Sequence, residues 1–326
     1  MFLEEPVDAK ENSIIKIDYE LLAILLKDHT TQKNIIWATD NYIDHGYLYG
    51  ADKEMRIDTI TGWHGMIIKP RTKKSKEEQL KRIKDKAEVF TPSWVCNRQN
   101  NMIDKEWFDD GDGFNSETKN SWKTKKRKIK FKDKTWQEYV KDLRLEISCG
   151  EAPYLVSRYD TVSGKVIPVN DRIGLLDRKL RIVNENVNDC EDWFKWVIEA
   201  YKSIYGYDWQ GDNVLIAREN LLYDFADNYK YKFNKDPEKE LLKEVAEIIS
   251  WNIFQMDGIK YVVPNSCCNH KIINYTIFGE EIIADECQGC KKGNIHLHNG
   301  IYVRIMNWKT NRKMKFITLL NRRDEK

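Results

Sequence analysis

Residues Glu146 to Leu155 read EISCGEAPYL. The stretch from Leu143 to Ser148 has the composition of a short β-strand, and a glycine among small residues comes directly after it. With no Cβ at Gly150, a ligand can come close to the backbone. The amide groups at the start of the next segment can then face a polar ligand group. Ligands of open α/β sheets bind at the carboxyl ends of the strands, so this turn marks a candidate site.

The chain beyond the turn has the rhythm of an α/β unit. Trp193 to Lys202 predicts a helix, and Ser203 to Asp208 (SIYGYD) a second strand with an acidic end. Asn213 to Tyr223 places Val214, Ala217 and Leu221 at helical spacing, and Leu241 to Ile249 repeats the pattern before WNIFQMDGI. Strand and helix thus alternate from Leu143 to Gly258, which predicts an α/β fold. Asp208, at a strand end beside the turn, suits a carboxylate that accepts hydrogen bonds from ribose hydroxyls.

Upstream, Tyr19 to Lys27 has helical apolar spacing. Asn34 to Tyr42 (NIIWATDNY) predicts a buried strand carrying a polar tip, and Lys69 to Lys86 a solvated helix. Phe90 to Met102 (FTPSWVCNRQNNM) predicts a turn leading into a helix, with proline in its first turn.

Composition narrows the class. Of 326 residues, 41% are hydrophobic and 12% aromatic, enough for a sizeable core. Charged residues make up 33%, yet the net charge is only +2, so a nucleic-acid surface requires local clustering. The N-terminal MFLEEPVDAK is acidic without an apolar run, and no stretch approaches a membrane span, which predicts a cytoplasmic protein with no membrane partner. Seven cysteines, four of them between Cys267 and Cys290, argue for a reducing compartment and a local metal site.

Several of these segments resemble one family. EISCGEAPYL is similar, without gaps, to the DPACGSGGFL-type turn of S-adenosylmethionine-dependent adenine-N6 DNA methyltransferases. IYGYDWQGDNVLIARENLL (Ile204 to Leu222) resembles their second motif, FTPSWVCNRQNNM an upstream YTP-type segment, and QMDGI their third motif. The nearest group is a set of bacterial restriction-modification methyltransferase subunits. The resemblance implies a Rossmann-like methyltransferase sheet with helices on both faces and S-adenosyl-L-methionine as cofactor. It places Thr91 and Pro92 on the methionine side and Glu146, Cys149, Gly150 and Glu151 in the cofactor turn. Asp208, with Trp209 after it, would meet the ribose, and Asp257 the adenine edge. It further implies double-stranded DNA as substrate and a restriction or specificity subunit as partner. Gly150 and Asp208 stand 58 positions apart, farther than the usual spacing, so Thr161 to Asp189 is expected to be an insertion.

The family acts on adenine N6 through a Pro-Pro segment ending in an aromatic residue, and no two prolines are adjacent here. Two stretches could stand in. Asp40, Asn41 and Tyr42 come after the NIIWA strand, in a permuted order. Asn307 and Trp308 come after IYVRIM in the usual order, with 18 residues remaining after Trp308. Without either, the chain would be a catalytically silent cofactor- or DNA-binding subunit of a restriction or phage-defence system.

Cys287 and Cys290 form a CxxC knuckle, with Cys267, Cys268 and His270 upstream. Tetrahedral zinc takes four such ligands from two turns. Cys267, Cys287 and Cys290 are the first three candidates. Cys268 or His270 would be the fourth, with His296 and His298 behind them. Finally, Lys119 to Lys134 carries nine Lys or Arg against one Asp. Lys123, Lys125, Lys126, Arg127, Lys128 and Lys130 are its DNA-binding candidates, and Trp122 and Phe131 could stack on bases. The implied organisation is an N-terminal region 1–90, a cofactor-binding core 91–260 with a basic insertion 109–140, and a zinc-binding segment 261–326.

Overall fold

A computed structural model describes residues 7, 11–86, 88–108, 113–131, 133–268, 270–276 and 279–323, with backbone alone at 85–86, 270–276, 279–285 and 321–323. Helices α1 (Glu11–Ile17), α2 (Tyr19–Leu26), α3 (Ile57–Ile60), α4 (Lys76–Lys86) and α5 (Ser93–Asp104) come first. A hairpin of β1 (Asn115–Thr118) and β2 (Ser121–Thr124) and helix α6 (Trp136–Lys141) precede strand β3 (Arg144–Ile147). Then come α7 (Leu175–Asn186), α8 (Cys190–Lys202), β4 (Ile204–Asp208), α9 (Gly211–Phe233), α10 (Lys239–Asn252) and β5 (Ile253–Gln255). The C-terminal part holds β6 (His270–Thr276), β7 (Gly279–Asp285), α11 (Gln288–Lys292), β8 (Arg304–Asn307) and β9 (Arg312–Lys315).

Strands β3, β4 and β5 form a parallel sheet in that order, with Glu146 opposite Gly206 and Tyr207 opposite Phe254. Successive side chains point to opposite faces. Ile204 and Ile253 therefore face one core, where helices α8, α9 and α10 pack with Val214, Leu221, Val245 and Ile249. Tyr207 and Phe254 face the other way, into a second cluster with Met256, Val303, Ile305 and Phe316. The α/β class agrees with the sequence. Helices on both faces do not: among the described residues, the second face is covered by the β8–β9 hairpin and Phe316. That cover ends at β4, so Leu143, Leu145 and Ile147 beside it stay 57%, 44% and 66% exposed.

The first core runs from Ile14 to Ile253, so the N-terminal region shares it. A buried arginine ties the two together. Arg218 on α9 donates to the carbonyls of Leu25, Lys27, Ser250 and Ile253. The segment expected to be solvated, 69–86, keeps most of α4 exposed but sends two cations inward. Buried Arg82 and Lys74 meet Asp212 on α9 at 2.6 and 3.5 Å.

The NIIWA stretch is not a ladder strand. It forms two isolated antiparallel bridges, Asn34 with Lys27 and Ile36 with Glu54. The Gln255 side chain takes the place of a neighbouring strand's backbone, accepting from Ile36 N–H at 2.9 Å and donating to its carbonyl at 2.8 Å. This carries Ala38 to Asp40 alongside the end of β4, where Trp209 Nε1 donates to the Ala38 carbonyl at 3.1 Å. No helix among the described residues is long and apolar enough to cross a membrane.

Candidate cofactor pocket and metal centre

A cavity of about 750 Å³ opens at the carboxyl ends of β3 and β4. Its walls come mainly from four stretches distant in sequence: Ala38 to Asp40, Glu88 to Thr91, Glu146 to Gly150 and Asp208 to Gln210. The turn is tightly wound, with positive φ at Ser148 (49°), Gly150 (53°) and Ala152 (62°). A left-handed conformation costs a residue with a Cβ about 1–2 kcal/mol, which favours glycine at the point closest to the cavity. A Cβ on Gly150 would lie 3.5 Å from the Phe90 ring, so that ring rests over the bare backbone.

Gly150 N–H donates to Asp208 Oδ2 at 2.9 Å, joining the turn to the strand end 58 positions away. Asp208 Oδ1 accepts from Gln210 N–H at 2.9 Å. Burial pushes the Asp208 carboxyl up to about 6, opposed by the Gln210 and Gly150 amides. Glu146 accepts from the Tyr154 and Leu155 amides at 3.3 and 3.1 Å. Its burial, with Asp208 nearby, raises it to about 8. The cavity is thus edged by two carboxyl groups that titrate near neutrality.

The structure sorts the sequence candidates. Thr91, Glu146, Cys149, Gly150, Asp208 and Trp209 line the cavity. Pro92 lies just beyond it, on the wall of a neighbouring groove. Glu151 points away, held by Tyr159 Oη at 2.7 Å and by the Arg71 amide. Asp257 is buried, and its Oδ1 accepts from the Ile259 and Lys260 amides at 2.9 and 3.0 Å, closing its own turn. Phe90, Tyr154, Asn213 and Asn265 line the cavity without a clear signal in the sequence.

Of the catalytic candidates, Asp40 is exposed and lines the cavity; its Oδ1 accepts from Ala51 N–H at 2.9 Å. Asn41 donates to Gln210 Oε1 at 3.0 Å. Tyr42 is buried, with its ring 4.8 Å from Trp37 and its hydroxyl donated to Asp212 at 2.7 Å. Asn307 caps its own turn by accepting from Lys309 N–H, and Trp308 Nε1 donates to Asn252. Neither lines the cavity.

At the C-terminal end, Cys267, Cys287, Cys290 and His298 gather with all four donor atoms within 4.8 Å of one another. Cys267 Sγ lies 3.3 Å from Cys287 Sγ, 3.6 Å from Cys290 Sγ and 3.5 Å from His298 Nδ1. The edges of a tetrahedron around zinc, with the usual bond lengths, are about 3.8 Å for S···S and about 3.5 Å for S···N. The donor set and spacing therefore fit a divalent metal such as zinc. Cys287 precedes α11, and Gly289 in that helix is required by close packing: a Cβ there would come within 2.6 Å of the His298 amide nitrogen. Burial alone would raise the Cys287 thiol, but the Cys290 and Asn299 amides with Cys267 and His298 outweigh it and favour the thiolate.

The fourth donor is His298, not Cys268. Cys268 is exposed and outside the group. The His270 side chain lies outside the described residues.

The basic stretch divides as well. Lys123, Lys125 and Lys126 line the neighbouring groove, while Arg127, Lys128 and Lys130 are exposed beyond it. Phe131 packs with Trp107, Phe108 and Tyr139 at the edge of the main core. Comparison with models of protein families, with curated proteins and with solved structures finds no match to this chain.

Proposed function

We propose that the chain binds S-adenosyl-L-methionine in the cavity at Gly150 and Asp208, on a Rossmann-like sheet, and transfers its methyl group to adenine N6 in double-stranded DNA, within a restriction-modification or phage-defence system. The observation that carries this reading is the 2.9 Å contact between Gly150 N–H and Asp208 beside an open cavity of about 750 Å³. Its size lies within the range of cofactor pockets, roughly 300–1,000 Å³. When bound, the cofactor supplies an electrophilic methyl group on sulfonium. The chain's own residues do the rest. The ionised Asp208 accepts hydrogen bonds from the sugar hydroxyls, the nucleoside lies against the Gly150 backbone once the Phe90 ring moves off it, and Glu146, raised to about 8 in the empty cavity, gives up its proton as the positive ammonium end approaches. Asp40, at the rim, presents its second carboxylate oxygen to an incoming exocyclic amino group, whose base must leave the stack to reach it.

A second reading has its own support. Tyr42 is fixed in the core by Asp212 and offers no face to a base, which favours a catalytically silent cofactor- or DNA-binding subunit. Titration calorimetry with S-adenosylmethionine, wild type against Asp208→Ala, tests the cofactor site. No measurable heat with the wild-type chain removes both the site and the enzyme. Transfer of a tritiated methyl group to unmethylated DNA then separates enzyme from silent subunit.

A further inference from the structure

Next to the cofactor cavity runs a larger groove of about 1140 Å³. The two are separated by one short stretch of chain: Phe90 and Thr91 line the cavity, and Pro92, Ser93 and Trp94 line the groove. Strand β2 with Trp122 and Lys123 forms one wall, and the loop 162–171 with Lys165 the other. Asp177 and Asn228 are buried at its base, and Tyr231 lines it from α9.

The charges facing this groove are unequal in availability. Asp160 accepts from the Ser93, Val162 and Ser163 amides. Asp177 accepts from the Ser157 and Gly174 amides, and Glu185 from Ile129 N–H and Arg181. Asp160 and Glu185 are committed through both oxygens, as is Arg181, which also donates to the Phe114 carbonyl, while buried Asp177 is held through Oδ2 and leaves Oδ1 without a hydrogen-bond partner. Exposed Lys123, Lys126 and Lys165 have no carboxylate partner among the described residues, and only Asp171 at the rim opposes them. Three aromatic side chains share the same space. Trp94 and Trp122 are half-buried, and Tyr231 is 53% exposed. Trp122 is held by donation of its Nε1–H to the Asp171 carbonyl at 2.9 Å.

We infer that this groove is a path for an unpaired nucleic-acid strand, with Trp94, Trp122 and Tyr231 as stacking platforms and Lys123, Lys126 and Lys165 as phosphate contacts. Free cations beside aromatic faces form the arrangement that binds single strands without reading their sequence, since every base has a π-face. A paired duplex hides those faces and does not satisfy the platforms. The inference rests on the proposed action on DNA for its class of ligand and adds that the strand is unpaired here, led past Pro92 to the rim of the cofactor cavity.

The test uses a fluorescein-labelled oligothymidylate of about 20 nucleotides, longer than the span of one such site. It is followed by anisotropy on the full chain with no cofactor, against a duplex of equal length. The single strand should bind more tightly than the duplex. Its affinity should fall with salt at a log–log slope of about 2 from three phosphate contacts, and that slope should flatten in K123E/K126E/K165E. Trp94→Ala and Tyr231→Ala should each weaken binding by about five- to 150-fold. Tyr231 is exposed enough that its variant folds regardless of the outcome at Trp94. Wild-type affinity in both aromatic variants, or duplex binding that equals single-strand binding and ignores the lysine changes, overturns the inference. Oligothymidylate has no adenine to methylate, so a chain that binds it through this groove supports the inference even if methyl transfer fails.

Discussion

Replacing Asp208 with asparagine separates the fold from the binding of a nucleoside. In the folded chain Oδ1 accepts from Gln210 N–H and Oδ2 from Gly150 N–H, each at 2.9 Å. Asparagine keeps one of these acceptors and turns an amide donor toward the other N–H, a loss of about 1–3 kcal/mol. Against this stands the burial of the charge, which moves the carboxyl from 3.8 to about 6. A folded-state value raised above the unfolded one stabilises fully below pH 3.8, and that stability is lost as pH climbs through about 6. At neutral pH the ionised group thus costs about 3 kcal/mol, which asparagine restores. The two effects offset, so Asp208→Asn should melt near the wild-type temperature. The ribose hydroxyls, by contrast, lose a charged acceptor, worth about 1.5–3 kcal/mol or roughly 10- to 150-fold in Kd. Calorimetric titration with S-adenosylmethionine and a thermal melt on the same samples give both readouts. Wild-type cofactor affinity should also weaken more steeply than the variant's as pH drops through about 6, because only the wild type has the Asp208 proton to gain while Glu146 titrates in both. Unchanged Kd in the variant, or wild-type affinity flat with pH, refutes the reasoning.

The same geometry sets three further outcomes. Purified protein should contain about one equivalent of zinc by atomic emission, and Cys290→Ser or a chelator should lower both metal content and thermal stability, since binding to such sites is coupled to folding; less than half an equivalent rejects the centre. Arg218→Ala strands the buried carbonyls of Leu25, Ser250 and Ile253 and the part-buried one of Lys27 and should cost at least about 3 kcal/mol in urea unfolding; an unshifted midpoint shows that water reaches them. Burial would raise Asp212, but Arg82 and Lys74 outweigh it and hold it at about 2, so it stabilises above pH 3.8 and loses that as pH falls toward 2. Asp212→Asn should therefore cost about 2 kcal/mol at neutral pH and progressively less in acid, and a deficit that does not shrink with acid excludes the ion pair as its source.

The legible parts of this chain are those written in local pattern. A strand, a glycine turn and a second strand with an acidic end are each visible within ten residues. The parallel pairing of β3 with β4 then brings Gly150 to Asp208 whatever fills the residues between. The CxxC knuckle is legible for the same reason. His298 is not distinguished from His270 or His296 by spacing, because its approach depends on the tight packing of Gly289 against it. Position in sequence also hides Lys74 and Arg82, which sit in a charge-rich stretch that reads as solvent-facing. Only their partner on α9, remote in the chain, draws them inside. Asp257 shows the converse: QMDGI resembles the family's third motif, yet the turn it opens already takes Asp257 Oδ1.

The least legible feature is the one on which the proposed catalysis depends most. Nothing local announces that Gln255 would bind the Ile36 backbone and thereby set Asp40 at the mouth of the cavity. That link gives the permuted stretch a physical basis, but for Asp40 alone. Tyr42 cannot swing out to meet a base without leaving the Asp212 hydrogen bond inside a buried group that also holds Arg82, and breaking a buried charged network of this kind costs several kcal/mol. An acceptor base at this cavity would instead meet the rings that already line it, Phe90, Tyr154 and Trp209. Of these, Trp209 is pinned by its bond to the Ala38 carbonyl, and Phe90 lies over Gly150 at the edge nearest the strand groove. Under the proposed function, a base stacking on Phe90 would have to displace the Arg71 guanidinium, which lies 5.3 Å from the ring centroid, because the ring already rests on Gly150.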